Sequence, residues 1–243
     1  MPLPPRARPR GSGMRLHARY DFGRLVRFHV LDGRQHRSTQ ACRPARRVGR
    51  KCRERIEPAR TMLGAAQERW LRNGIAAVPG RWNVIAQQTL MARAILRVGG
   101  KPRYGTDAWD GYPAARRRLL RAIAEAEARS CIVLSGDAHR CVVSDLKPIF
   151  SRRRAPVVAT ELCAPSLTSL GSAQSRTNAI VRANPHILFG DSTHRGYLIL
   201  DLTPEHCVAH VRALDDATRP DSAVSTLAEF VIDARPPGAR PLT

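Results

Sequence analysis

The chain reads as short apolar runs set between polar stretches marked by Gly and Pro. Leu25-Val26-Arg27-Phe28-His29-Val30-Leu31 alternates apolar and polar positions and predicts the first ordered strand, which ends in Asp32-Gly33-Arg34. Residues 82–87 and 131–134 predict two further strands, and the unbroken apolar character of Cys131-Ile132-Val133-Leu134 suits burial on both faces. Residues 156–161 predict another strand, and 196–202 with 207–211 a hairpin turning at Thr203-Pro204-Glu205. Helical spacing occurs over 63–73, with Trp70 and Leu71 on the apolar side. It occurs again from Pro113, a first-turn residue, to about Arg129. There Leu119, Leu120, Ile123 and Ala124 form an inner stripe, while Arg116, Arg117 and Arg121 are expected in solvent. Residues 38–60, 97–107 and 163–185 read as loops, 1–13 as a disordered lead-in, and 217–243 as a loose Pro-rich tail. Strands alternating with helices over 14–216 predict an α/β domain.

Candidate chemistry sits at the strand ends. Gly136 closes the 131–134 strand, and Asp137 and His139 follow, one residue apart. In extended backbone two such side chains point the same way and can reach one metal ion or an adjacent pair. Strand ends of α/β sheets are where ligands usually bind; a polar turn is the other reading of these four residues. Asp32 is a second strand-end acid, so Asp32, Asp137 and His139 are candidate ligands of a binuclear site. Arg34 is the candidate phosphate clamp, because a planar guanidinium meets phosphate oxygens in pairs. Trp109, Asp110 and Tyr112 read instead as structure, two aromatics packing a loop beside a helix start.

Composition changes the picture in two places. Over 243 residues the formal net charge is +21, which suggests a nucleic-acid partner. Yet only Lys51, Lys101 and Lys147 of the 41 basic residues are lysines, the arginines are scattered, and no zinc-finger spacing or aromatic interleaving accompanies them. Such an imbalance fits a GC-rich coding bias and a solvated surface better than a nucleic-acid face. None of the six cysteines forms a CxxC pair; Cys131 reads as a buried small hydrophobe, and Cys42 with Cys52 can close a short disulfide if the protein is exported. No apolar run approaches the roughly 18 residues a membrane span needs, and residues 1–13 lack the apolar stretch of a secretory signal.

Several blocks in order carry a resemblance: Phe22-Gly23-Arg24-Leu25, then Val30 to Arg37, then Arg60-Thr61-Met62-Leu63-Gly64 with Gln67-Glu68-Arg69-Trp70-Leu71. Residues 82–88, Asp107-Ala108-Trp109-Asp110-Gly111-Tyr112, Leu134 to His139, Asn184-Pro185-His186 and Arg195-Gly196-Tyr197 complete it. From about Met14 to Leu214 the chain resembles the PhoD-like alkaline phosphatases, a branch of the metallophosphatases. The resemblance implies a calcium- and iron-dependent phosphomonoesterase or phosphodiesterase in a four-layer αββα sandwich, commonly exported. It makes Asp137 and His139 part of the final metal motif, Asp32 a ligand or a support to one, His139 and Arg34 catalytic, and Arg34 and His186 phosphate-orienting. His36 stands where the family usually has Tyr, and Thr39 where relatives often carry an acidic or amide residue. The family's first half, with a Gly-Asp strand end and an Asp-Asp-His-Glu motif, has no counterpart here, which implies a partial catalytic domain with an incomplete ligand set. An expected consequence is an unpaired sheet edge and an uncovered apolar face, hence poor solubility or self-association. The expected partner is a phosphate ester, with nucleic acid the alternative.

Overall fold

The computed structural model describes residues 14–77, 82–126 and 131–242. The expected lead-in, 1–13, and the end of the second predicted helix fall outside them. Strands β1 (Ala18–Phe22) and β2 (Val26–Val30) form a hairpin. A long loop bearing the two-residue β3 (Arg47–Val48) leads to helix α1 (Ala65–Ala76) and to β4 (Trp82–Thr89), which lies parallel to β2. The short β5 (Leu96–Val98) and β6 (Lys101–Gly105) precede α2 (Pro113–Glu125), which returns the chain to β7 (Cys131–Gly136), parallel to β4. Then come β8 (Cys141–Leu146), β9 (Ala159–Cys163), α3 (Gln174–Ala183) and β10 (Ile187–Asp191). The chain ends in β11 (Arg195–Leu202), β12 (His206–Leu214), β13 (Val224–Asp233) and β14 (Ala239–Pro241).

A seven-stranded mixed sheet runs in the order β1-β2-β4-β7-β9-β8-β10, beside a four-stranded antiparallel sheet in the order β11-β12-β13-β14. Strands β2, β4, β7 and β9 are parallel, so their carboxyl ends share one rim. Side chains alternate across those strands. Ile85 and Val133 face Leu71 and Ile75 of α1 and Leu119, Leu120 and Ile123 of α2. Trp82, Val84, Ile132 and Leu162 face Ala209, Val211, Phe230 and Ile232 of the second sheet. The Trp82 indole N–H, buried there, donates to the Thr203 carbonyl (2.6 Å) and ties the two sheets at the hairpin turn. The layers are therefore helix, sheet, sheet: the expected α/β class, a part of the αββα sandwich with one helical layer among the described residues.

Four expectations need correction. The supposed loose tail carries β13 and β14, because β13 has a buried Phe230-Val231-Ile232 segment that completes the second core. The loop read over 97–107 contains the β5–β6 hairpin, whose Gly99-Gly100 turn has both φ values positive (54° and 73°). The loop read over 163–185 contains α3. Arg116 is buried, not solvated, and ion-paired to buried Asp110 at 2.9 Å, so a charge on the inner edge of α2 is matched rather than exposed. Asp110, Trp109 and Tyr112 are buried, as a structural role requires.

Candidate functional site

Asp32 follows β2, and its carboxylate folds back onto its own turn. One oxygen accepts the Arg34 and Gln35 amides (2.9 and 3.0 Å), and the other accepts Gln35 Nε2 (2.6 Å). The turn is clamped on both sides. Gln67 of α1 accepts the Asp32 amide and donates to its carbonyl, and Gln88 of β4 accepts the Gly33 amide and donates to the Leu31 carbonyl. A Cβ at Gly33 would stand 3.0 Å from the Gln88 oxygen, so that amide contact has little room for a side chain. Burial pushes the Asp32 carboxyl up, and the amide donors outweigh it, leaving the group below the ordinary carboxylate range.

The clamped turn aims Arg34 along the rim. Its Nη1 donates to Asp107 Oδ2 (3.0 Å) and its Nη2 to Asp137 Oδ2 (2.8 Å), so one guanidinium bridges two carboxylates. Arg37 holds Asp107 from the other side at 2.9 Å, and Gln40 donates to the same carboxylate. Burial raises the Asp107 carboxyl, but Arg34 and Arg37 bring it below its ordinary value. Asp137 lies just past β7 with φ of 64°, and His139 has φ of 50°. Both residues are therefore left-handed, not extended, and they do not point the same way as strand neighbours would. The exposed His139 ring places Nδ1 3.2 Å from the Leu170 carbonyl. That loop packs tightly: a Cβ at Gly171 would lie 2.9 Å from the His139 carbonyl and 2.4 Å from that of Ser192.

Beside Asp137 opens a cleft of about 390 Å3 lined by Arg46, Arg47, Asp107, Asp110, Asp137 and Arg140 among others. His186 does not join the group: Nε2 hydrogen-bonds the Arg93 carbonyl (2.8 Å) and the ring packs on Phe150, 4.5 Å between centroids. Burial lowers its pKa to about 4. A neutral ring committed to a carbonyl is a poor phosphate ligand, so the structure gives His186 a packing position.

A family model described as PhoD-like phosphatase matches residues 1–211. The chain belongs to the PhoD-like phosphatase family. It is 35% identical over 243 residues to alkaline phosphatase D of Bacillus subtilis (strain 168), covering 99% of this chain and 41% of that protein. The solved structure of PhoD superposes with a TM-score of 0.89 at 34% identity, covering all of this chain and 47% of the other. The chain thus spans less than half the length of either relative.

PhoD-like membership brings the family's metals into question, and the residues answer it directly. Among the described residues no three or more His, Cys, Asp or Glu side chains stand together as a ligand set. Asp32 is spent on its own turn, and the position shared by Asp107 and Asp137 holds the Arg34 guanidinium. The side chains present do not fit calcium or iron by themselves. Asp107, Arg37, Gln67 and Gln88 escaped the sequence reading as site residues. Asp107 stands before a Trp-Asp-Gly helix lead-in, and the glutamines sit inside a helix and a strand where amides carry no pattern.

Proposed function

We propose that the chain hydrolyses phosphoric esters, as an alkaline phosphatase or phosphodiesterase of the PhoD-like kind. The carrying observation is Arg34, a guanidinium on the shared rim of the parallel strands, held in a fixed orientation between Asp107 and Asp137. Two of its five N–H groups are spent on those carboxylates, and the remaining donors can meet phosphate oxygens and the charge that grows on them during hydrolysis. His139 is the proton-handling group of this reading. A carbonyl faces its Nδ1, so that nitrogen carries the proton of the neutral ring and Nε2 keeps its lone pair. Metal dependence, on calcium and iron, belongs to the same reading by family; the described residues do not assemble ligands for those ions, and no step is assigned to them.

The test is turnover of a generic aryl phosphate ester by the full chain, with and without added calcium and iron, beside Arg34→Ala and Asp137→Asn. The expected result is turnover that falls about a hundredfold in Arg34→Ala, the size of losing one donor to a developing oxyanion. Turnover that is absent under every metal condition, or equal in Arg34→Ala, overturns the reading. Polyanion binding that weakens with salt and ignores both substitutions would mark the non-enzymatic alternative.

A further inference from the structure

The cleft beside Asp137 holds acids and arginines that are not paired with one another. Its three acids are taken: Asp137 by Arg34, Asp107 by Arg34 and Arg37, Asp110 by Arg116. Its three arginines are not. Among the described residues no carboxylate lies within ion-pair distance of Arg46, Arg47 or Arg140. Arg140 is steered into place by donating from Nε to the Ala138 carbonyl (3.2 Å) and from Nη2 to Ser172 Oγ (2.9 Å). Arg46 and Arg47 arrive on the β3 segment, fixed by pairing with β6 (Arg47 opposite Gly105) and by the Thr106 amide and hydroxyl donating to the Arg46 carbonyl, each at 3.1 Å.

Arg46 is exposed, but Arg47 and Arg140 are partly buried, and partly buried guanidinium groups without an ion-paired carboxylate are unfavourable in the free protein. Burial and then the Arg176 charge lower the pKa of Arg47 against the pull of Asp110, and burial with the charges of Arg47 and Arg176 lowers that of Arg140. An anion entering the cleft would relieve both costs, and guanidinium forks fit phosphate better than other anions of that size.

We propose that this cleft is a second anion subsite, in which Arg46, Arg47 and Arg140 hold a phosphoryl group of the ligand other than the one Arg34 engages. The subsite selects ligands with more than one phosphate. It rests on the phosphoesterase reading only for which phosphate reacts; the binding claim stands by itself.

The experiment is titration calorimetry of the full chain with inorganic tripolyphosphate and with inorganic phosphate, in chelator-treated buffer. Wild type is expected to bind tripolyphosphate at least about tenfold more tightly than phosphate. Arg47→Gln and Arg140→Gln should each lose about tenfold for tripolyphosphate while their phosphate affinity stays within about twofold, a modest share of what truncating a buried charge contact costs. Arg69→Gln, an equal charge change at an exposed position outside the cleft, should alter neither. Equal losses in Arg69→Gln would assign the effect to net charge and overturn the subsite. So would a melting temperature of Arg47→Gln below wild type in anion-free buffer, because an unmatched guanidinium should be relieved, not missed. Ester hydrolysis without a tripolyphosphate preference would sink the subsite and leave the phosphoesterase reading standing. A preference that depends on Arg47 without hydrolysis would sink that reading and leave the subsite.

Discussion

Arg34 and Glu161 show how far a single charged residue's surroundings decide its use. Arg34 keeps unspent donors at a rim, whereas Glu161 is sealed in β9 with the Ser135 hydroxyl and the Met91 and Ala92 amides all donating to it at 2.6 Å. Burial raises the Glu161 carboxyl to about 7, against those donors and the Arg116 charge. Unfolded, it titrates near 4.5. Its contribution to stability is therefore full below 4.5 and is lost as pH rises through about 7. His29 and His186, lowered to about 4 by burial, act oppositely: their contribution is full above 6.5 and is lost as pH falls toward 4. A difference against Glu161→Gln isolates the carboxyl from the histidines. The urea unfolding free energy of wild type minus that of Glu161→Gln should fall by on the order of 2 kcal/mol between about pH 5 and pH 8, one pKa unit being worth about 1.4. Parallel pH profiles for the two proteins would show that the carboxyl does not titrate in this range.

At the scale of elements, the loop between β2 and α1 has the most to lose, since it carries Arg34, Arg37, Arg46 and Arg47 with little regular structure. Its anchor is the Cys42–Cys52 disulfide, with a Cα separation of 6.2 Å, packed with Ala41 and Val48 in a small core of its own. The bond that sequence spacing allowed is thus present, and it closes a short loop around β3. The Cys42→Ser/Cys52→Ser double variant should lose about 3 kcal/mol in urea unfolding, as expected for a loop of this length. It should also weaken tripolyphosphate binding, because Arg47 rides on that loop; unchanged affinity would detach the disulfide from the cleft. Strand β7 was legible because the interior of a parallel sheet favours a continuous apolar run, and β2 because its apolar and polar residues alternate. Helix α3 was not: in Gln174–Ala183 only Thr177 and Ile180 are buried, and no side chain caps its start. The β5–β6 turn hid in a glycine pair read as loop. Asp32 and Arg34 could be picked out at their strand end, but the pairing of Arg34 with Asp107 and Asp137 spans 73 and 103 residues of sequence, a separation no local pattern encodes.

For the whole molecule, the expected uncovered apolar face is, on the outer side of the four-stranded sheet, a mixture of polar and apolar side chains. Outward from the four-stranded sheet, His210 sits between Asp201 (3.0 Å) and Glu229 (2.6 Å), and Arg212 donates to Thr226. The liability is narrower and lies at the edge. Strand β11 is eight residues long and borders its sheet, the Gly196 amide near its start is covered by donating to the Ser166 carbonyl, and Tyr197 and Ile199 stand exposed along it. An edge of that length with two large apolar side chains is a template for pairing with a second copy. The net charge of +21 opposes such pairing at low ionic strength. Added salt screens the repulsion and leaves the apolar and backbone attraction, so self-association should strengthen as salt rises. Sedimentation velocity should then show a dimer or larger species growing with salt in wild type, and a monomer throughout in Ile199→Lys, which puts a charge in the middle of the edge. A wild-type chain that stays monomeric at high salt and melts in one cooperative transition would show that β11 is protected as it stands.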